Sequence, residues 1–137
     1  MTAAELAAIS ARAYIYMHPW AEADFAASLA HPTSVLACGG GAFVLGRVIV
    51  DEAEILALAT DPAQQRAGQG RAVLAAFEAQ ARQRGAVQVF LEVAASNAPA
   101  CAFYLAQGYA QTGRRRDYYA KPGGGRTDAL LMSKALT

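Results

Sequence analysis

The run Gln65-Arg66-Ala67-Gly68-Gln69-Gly70-Arg71 sets two glycines and two arginines between a strand-like apolar run and a helix-like one. Those residue types can wrap a diphosphate in main-chain N–H groups. Gly68 and Gly70 lack a Cβ, so the backbone there can approach an anion closely and adopt φ values that other residues avoid. The first N–H groups of a following helix have no intrahelical partner and carry the positive end of its dipole. Arg66 and Arg71 add full charges beside them. A glycine turn before a helix is also compatible with an ordinary turn. What gives it weight is the material further on: Phe90-Leu91-Glu92-Val93, Ser96-Asn97, Phe103-Tyr104 and Gly108-Tyr109.

The elements that must position these residues can be read from the apolar pattern. Leu6, Ile9, Ala13, Tyr16 and Met17 recur at helical spacing, predicting an amphipathic helix from Ala3 to Tyr16 that His18-Pro19-Trp20 ends. A second short helix is expected over Ala21–Leu29. Ser34–Cys38 and Ala42–Val50 read as strands joined by a Gly39-Gly40-Gly41 hairpin turn. After a turn at Asp51-Glu52, Ala53–Thr60 forms a third strand, closed by Asp61-Pro62. The helix after the glycine loop spans Gly68–Arg84, with Val73, Leu74, Phe77 and Ala81 buried, Glu78, Arg82 and Gln83 facing water, and Gly85 as its stop. Ala86–Val93 alternates, with Val87, Val89, Leu91 and Val93 on one face and Gln88, Phe90 and Glu92 on the other. A short helix from Pro99 to Gln107 follows, then strands over Tyr109–Tyr119 and Ala129–Lys134. The order α-α-β-β-β-α-β-α-β-β describes an α/β domain with a mixed central sheet, parallel around the crossover helix and antiparallel at its start and end.

Bulk properties exclude several function classes. At 137 residues the chain is expected to be a single domain, residues 1–137. It holds no run of roughly eighteen apolar residues that would span a membrane. Met1-Thr2-Ala3-Ala4-Glu5-Leu6 lacks a secretory n-region, so a cytoplasmic location is expected. Twelve basic against eleven acidic residues give a formal charge of +1, leaving no global field that favours nucleic acid. Cys38 and Cys101 lack metal-ligand spacing and are expected to be reduced, buried thiols. His18 and His31 have no partners at metal spacing, so no metal is expected.

Three phosphate-binding designs compete for the loop. A Walker loop needs Gly-Lys-Ser/Thr, whereas Gly70 is followed by Arg71-Ala72. A dinucleotide fingerprint would take Gly68 and Gly70 as its first two glycines and Glu92 as its ribose partner. Its third glycine falls on Val73, however, and the polar Thr60–Arg66 stretch separates loop from strand. The third design is acyl-coenzyme A. Gln65-Arg66-Ala67-Gly68-Gln69-Gly70 resembles the Gln/Arg-x-x-Gly-x-Gly/Ala motif of the GNAT N-acetyltransferases, whose element order is also the one read here. His18-Pro19-Trp20, Thr60-Asp61-Pro62, Phe90-Leu91-Glu92-Val93, Ser96-Asn97, Phe103-Tyr104, Gly108-Tyr109 and Arg115 through Tyr119 resemble the RimI branch, the ribosomal-protein-alanine N-acetyltransferases. The likeness covers nearly the whole chain and is thinnest in the N-terminal third.

The resemblance implies a GNAT fold and acetyl-CoA as co-substrate. It also implies transfer to the N-terminal α-amine of a protein, an alanine of a small-subunit ribosomal protein above all, by a monomer that needs neither nucleic acid nor membrane. An α-ammonium with pKa near 7.7–8.0 needs only modest help to lose its proton. Glu92, at the C-terminal end of the central strand and beside Phe90, is the expected base, directly or through one water. Outside the resemblance it reads as a strand-end glutamate paired with an arginine. In the family the tyrosine matching Tyr104 is the proposed general acid, able to protonate the departing sulfur; otherwise it is a half-buried packing aromatic. Arg66, Ala67, Gly68, Gln69, Gly70 and Arg71 would hold the diphosphate, and the strand edge at Leu58, Ala59 and Thr60 would pair with the pantetheine amides and polarise the thioester oxygen. Asn97 resembles a coenzyme contact and equally a helix cap. Trp20 and Arg114-Arg115-Arg116 could dock a peptide or ribosome or be core and solvated strand residues, and Tyr118 and Tyr119 could wall an acceptor groove. Cys101 is expected in the core. Rival readings are a GNAT enzyme for a small amine or lysine, and a non-catalytic acyl-CoA-binding module.

Overall fold

A computed structural model describes residues 1–13, 20–64 and 68–136. Tyr16, Met17 and the His18-Pro19 stop therefore lie outside the described residues, as do Gln65, Arg66 and Ala67. The elements run α1 (Ala3–Ala13), α2 (Glu22–Leu29), β1 (Ser34–Gly39), β2 (Ala42–Ile49), β3 (Glu52–Thr60), a 3-10 turn (Pro62–Gln64), α3 (Gln69–Gln83), β4 (Gln88–Ala94), α4 (Ala98–Ala106), β5 (Ala110–Ala120) and β6 (Arg126–Ala135). The six strands form one sheet in the order β1-β2-β3-β4-β6-β5. Among the described residues only β3 and β4 pair in parallel. They are the pair separated by α3, as a crossover connection requires.

Two apolar cores lie on opposite faces of the sheet. One packs α3 and α4 through Val73, Leu74, Phe77 and Tyr104 against Val44, Val89, Leu91 and Met132. The other packs α1 and α2 through Leu6, Ile9 and Phe25 against Phe43, Leu45, Ala57 and Ala59. Phe77, fully buried, contributes about 1.5–3 kcal/mol by leaving water.

The feature that positions the site is a bulge in β3. Leu45 pairs with Ala57 and the next residue, Gly46, pairs with Ile55, so Leu56 is an extra residue on β3. A bulge bends its strand and sharpens the twist. It also exchanges the faces of β3: Ala53 and Ile55 belong to the α3 core, Ala57 and Ala59 to the α1–α2 core. Gly46 is required there. A Cβ on it would stand 2.3 Å from the Glu54 carbonyl oxygen and 2.5 Å from the Phe77 ring. The β3–β4 ladder stops at the same place, comprising only Glu52↔Gln88, Ala53↔Val89 and Glu54↔Phe90. Beyond it the two strands part.

Three expectations need correction. Glu78 does not face water: it is buried, because Tyr109 and Lys134 supply the partners that a buried carboxylate needs. Cys38 is exposed, since the core face of β1 carries Val35 and Ala37 and the strand runs out beyond them. Val87 precedes β4 and is 55% exposed, its backbone N–H and carbonyl bonding Asp51 and Leu136 at the sheet margin.

Candidate active site

The parting of β3 and β4 leaves a cleft of about 1290 Å³ that threads the sheet from one face to the other. On the α3–α4 face it is lined by Leu58, Thr60, Gly68, Gly70, Asn97 and Tyr104. On the other face it is lined by Trp20, Leu56, Phe90, Glu92, Tyr119 and Leu131. Residues remote in sequence thus share one opening, at the C-terminal ends of the parallel strands where open α/β sheets place ligands.

The α3 side is built from backbone. Gly68 caps α3 with φ +79° in the left-handed region, a conformation that glycine adopts without penalty. A Cβ there would meet nothing within 4 Å. A Cβ on Gly70 would come within 3.4 Å of Thr60 Oγ1 and 3.7 Å of the Phe103 ring, filling the floor of the cleft. The open first turn, the exposed Arg71 beside it and a buried Gln69 Oε1 with no partner among the described residues fit an anionic group with its own donors. Asn97 Oδ1 accepts from the Ala100 N–H at 3.2 Å, so its side chain caps α4. Tyr104, in the last turn of α4 and 7% exposed, has its ring between Phe103 and Tyr109, at centroid distances of 5.4 and 5.7 Å.

The opposite side is built from side chains. Glu92 alternates with Leu91 and Val93, so it points away from the α3 core. Its two oxygens have separate partners: Arg115 Nε lies 3.3 Å from Oε1, and the Tyr119 hydroxyl donates to Oε2 at 3.3 Å. Arg115 also stacks over Tyr118, 5.2 Å from the ring centroid, and Tyr118 meets Tyr119 edge-on at 5.1 Å. A second bulge brings these groups in. Between the pairs Arg115↔Ala129 and Tyr119↔Thr127, β5 has three residues where β6 has only Asp128. Asp117 sits there at φ +47°, its N–H bonded to Asp128 Oδ1 at 2.9 Å, and Asp128 also holds Arg114 at 3.1 Å. Burial, then the Glu92 charge, pushes the Tyr119 phenol up to about 12, keeping it a neutral donor at ordinary pH.

Of the predicted site residues, Glu92, Tyr104, Leu58, Ala59, Thr60, Gly68, Gln69, Gly70, Arg71 and Asn97 all line this cleft. Trp20 packs on Phe25 at 5.3 Å, as a core tryptophan would, and also lines the cleft. The arginine–glutamate pairing of Glu92 is present as well, with Arg115 as the partner. Sequence reasoning did not connect Arg115 and Tyr119 to Glu92, nor find Leu56 or Leu131. Register shifts decide those contacts, and no periodicity announces them. Cys101 is half-buried against the α3–α4 core, and burial raises its thiol above the usual range. Among the described residues no three His, Cys, Asp or Glu side chains gather as metal ligands, and no helix is long and apolar enough to cross a membrane.

A mixed sheet split between its parallel strands, with an open helix start on one face and a carboxylate on the other, is an arrangement that suits a group-transfer enzyme. The chain belongs to the acetyltransferase (GNAT) family, whose model matches residues 5–109. It is therefore an acetyltransferase, and its acetyl donor is acetyl-CoA. The [ribosomal protein bS18]-alanine N-acetyltransferase of Escherichia coli K12 is 37% identical over 129 residues, covering 91% of this chain and 85% of the relative. The N-alpha-acetyltransferase RimI of Mycobacterium tuberculosis is 36% identical, covering 93% and 83%. The crystal structure of the E. coli ribosomal-protein-S18-alanine N-acetyltransferase superposes with a TM-score of 0.87 at 34% identity, over 98% of this chain and 88% of that one.

Proposed function

We propose that this protein acetylates the N-terminal α-amine of a protein, with an N-terminal alanine of a small-subunit ribosomal protein as acceptor. The names of the E. coli and M. tuberculosis relatives, similar over most of their lengths, support the acceptor class. The observation that carries the reading is the two-faced cleft, with a main-chain anion site at one mouth and a charged, aromatic groove at the other. The reading takes the enzyme as a single-domain cytosolic monomer that needs neither nucleic acid nor membrane.

The roles follow from the groups available. Main-chain N–H groups of Gly68, Gln69, Gly70 and Arg71 hold the diphosphate, and the sequence extends the loop through Arg66 and Ala67. The Leu58–Thr60 edge aligns the pantetheine arm and offers an N–H to the thioester oxygen. Asn97 keeps α4 capped and contributes its amide to the coenzyme wall. Acetyl-CoA supplies an activated acyl group. Glu92 receives the proton of the α-ammonium, directly or through one water, and the cationic acceptor competes with Arg115 for the same carboxylate. Tyr104 gives its phenolic proton to the leaving sulfur, a slightly uphill transfer because a thiol is more acidic than a phenol, and the phenolate is reprotonated from solvent as the products leave. Tyr118 and Tyr119 wall the acceptor groove.

The test compares an Ala-initiated peptide with the same peptide blocked at its α-amine but carrying free lysines. Acetylation confined to the free N-terminus is expected. Better turnover of the blocked peptide would replace this acceptor with a lysine or small amine.

A further inference from the structure

Tyr104 is tied to Tyr109 twice: the rings meet edge-on at 5.7 Å, and the Tyr109 N–H donates to the Tyr104 carbonyl at 3.0 Å. Tyr109, 2% exposed, donates its hydroxyl to Glu78 Oε2 at 2.8 Å. Glu78 is itself 8% exposed and also takes Lys134 Nζ at 3.0 Å on Oε1 and 3.3 Å on Oε2. The cluster joins α3, the turn after α4, and β6. None of its three residues lines the cleft.

Such a cluster is a poor source of stability. Desolvating a carboxylate and an ammonium offsets most of their attraction, and apolar side chains of similar volume would fill the space about as well. What it supplies is geometry. The Tyr109 ring cannot tilt without breaking its hydrogen bond to a buried carboxylate, and the Tyr104 ring cannot tilt without displacing Tyr109. We propose that Glu78 is a positioning residue for acetyl transfer, holding the Tyr109–Tyr104 ring pair in the orientation from which the Tyr104 hydroxyl reaches the leaving sulfur. This rests on Tyr104 acting as the acid in the function proposed above. Proton transfer tolerates little misplacement, so a small rotation is felt in the chemical step and not in binding.

The test is a double-mutant cycle on the whole enzyme: unmodified protein, Tyr109→Phe, Tyr104→Phe and the double variant. For each, kcat, KM for acetyl-CoA, KM for an Ala-initiated peptide and the thermal midpoint are measured. Tyr109→Phe is expected to lower kcat about tenfold, with both KM values within about twofold, and to cause no further loss in the Tyr104→Phe background. Glu78→Gln still accepts the Tyr109 hydroxyl and should keep kcat closer to that of the unmodified enzyme. Whatever it loses should also vanish when Tyr104 is Phe, which keeps the cycle informative if Tyr109→Phe does not fold. An equal fractional loss in both backgrounds, or an unchanged kcat in folded Tyr109→Phe, overturns the proposal alone. Full kcat in Tyr104→Phe overturns the acid assignment and this proposal with it.

Discussion

The two mouths of the cleft are built differently. At the α3 mouth the contacts on offer are main-chain groups, made accessible by Gly68 and Gly70 and oriented by a helix start. At the other mouth they are side chains, Glu92, Arg115, Tyr118 and Tyr119, carried by β4 and β5 and joined across β6. A nucleotide-bearing donor common to a whole family is suited to a backbone site, which depends only on small residues and a helix. An acceptor that differs among relatives is suited to a side-chain site, which single substitutions can retune. The difference teaches that one mouth is specified locally and the other by strand register.

The comparison can be broken first at the acceptor mouth. Glu92→Gln should lower kcat about 10²- to 10³-fold in a steady-state assay while isothermal titration shows acetyl-CoA binding retained. Loss of donor binding would mean that the mouths do not work separately. Next comes the bulge that separates them. Gly46→Ala would press a methyl onto the Glu54 carbonyl and the Phe77 ring, and should cost about 3 kcal/mol in urea unfolding. At the donor mouth, Gly68→Ala meets no neighbour but must hold φ +79°, at a cost of about 1–2 kcal/mol. It should raise KM for acetyl-CoA more than KM for the peptide. Tyr119→Phe removes one of the two groups on Glu92 and should raise peptide KM only about two- to fivefold.

The smallest effect is on stability at alkaline pH. Tyr119 holds its proton to about 12 in the folded protein, above the ordinary phenol value of 10.0. Between those values the unfolded chain binds fewer protons than the folded one, so stability must fall as pH rises. The contribution is complete below pH 10 and is lost by about pH 12. Burial also raises Tyr109, in the same direction. Urea midpoints should therefore decline across this window, and less steeply for Tyr119→Phe.

Much of this was legible in the chain. The Val73, Leu74, Phe77 and Ala81 spacing marked the buried stripe of α3, and the alternation Val89-Leu91-Val93 put Glu92 on the opposite face of β4. Local chemistry also marked Gly68 and the Asn97 cap. Glu78 was not legible, because helical spacing puts it on the buried stripe but its charge suggests the surface, and only two distant residues, Tyr109 and Lys134, make its burial tolerable. Arg115 could be read as a docking or a solvated strand residue and Tyr119 as a groove wall, but only the bulge at Asp117 brings both onto Glu92.

Strand β3 separates the two kinds of information most sharply. Its apolar run between Asp51-Glu52 and Asp61-Pro62 marked a strand by itself, and in the folded chain Ala53, Ile55, Ala57 and Ala59 are its buried positions. Only the tertiary structure decided that the first two residues serve one core and the last two the other. That division comes from pairing with β2, where Gly46 admits Leu56 as an extra residue beside the point where β3 and β4 part. Periodicity reports which residues alternate. Register against a neighbouring strand, which no local pattern encodes, reports the face on which each alternation begins.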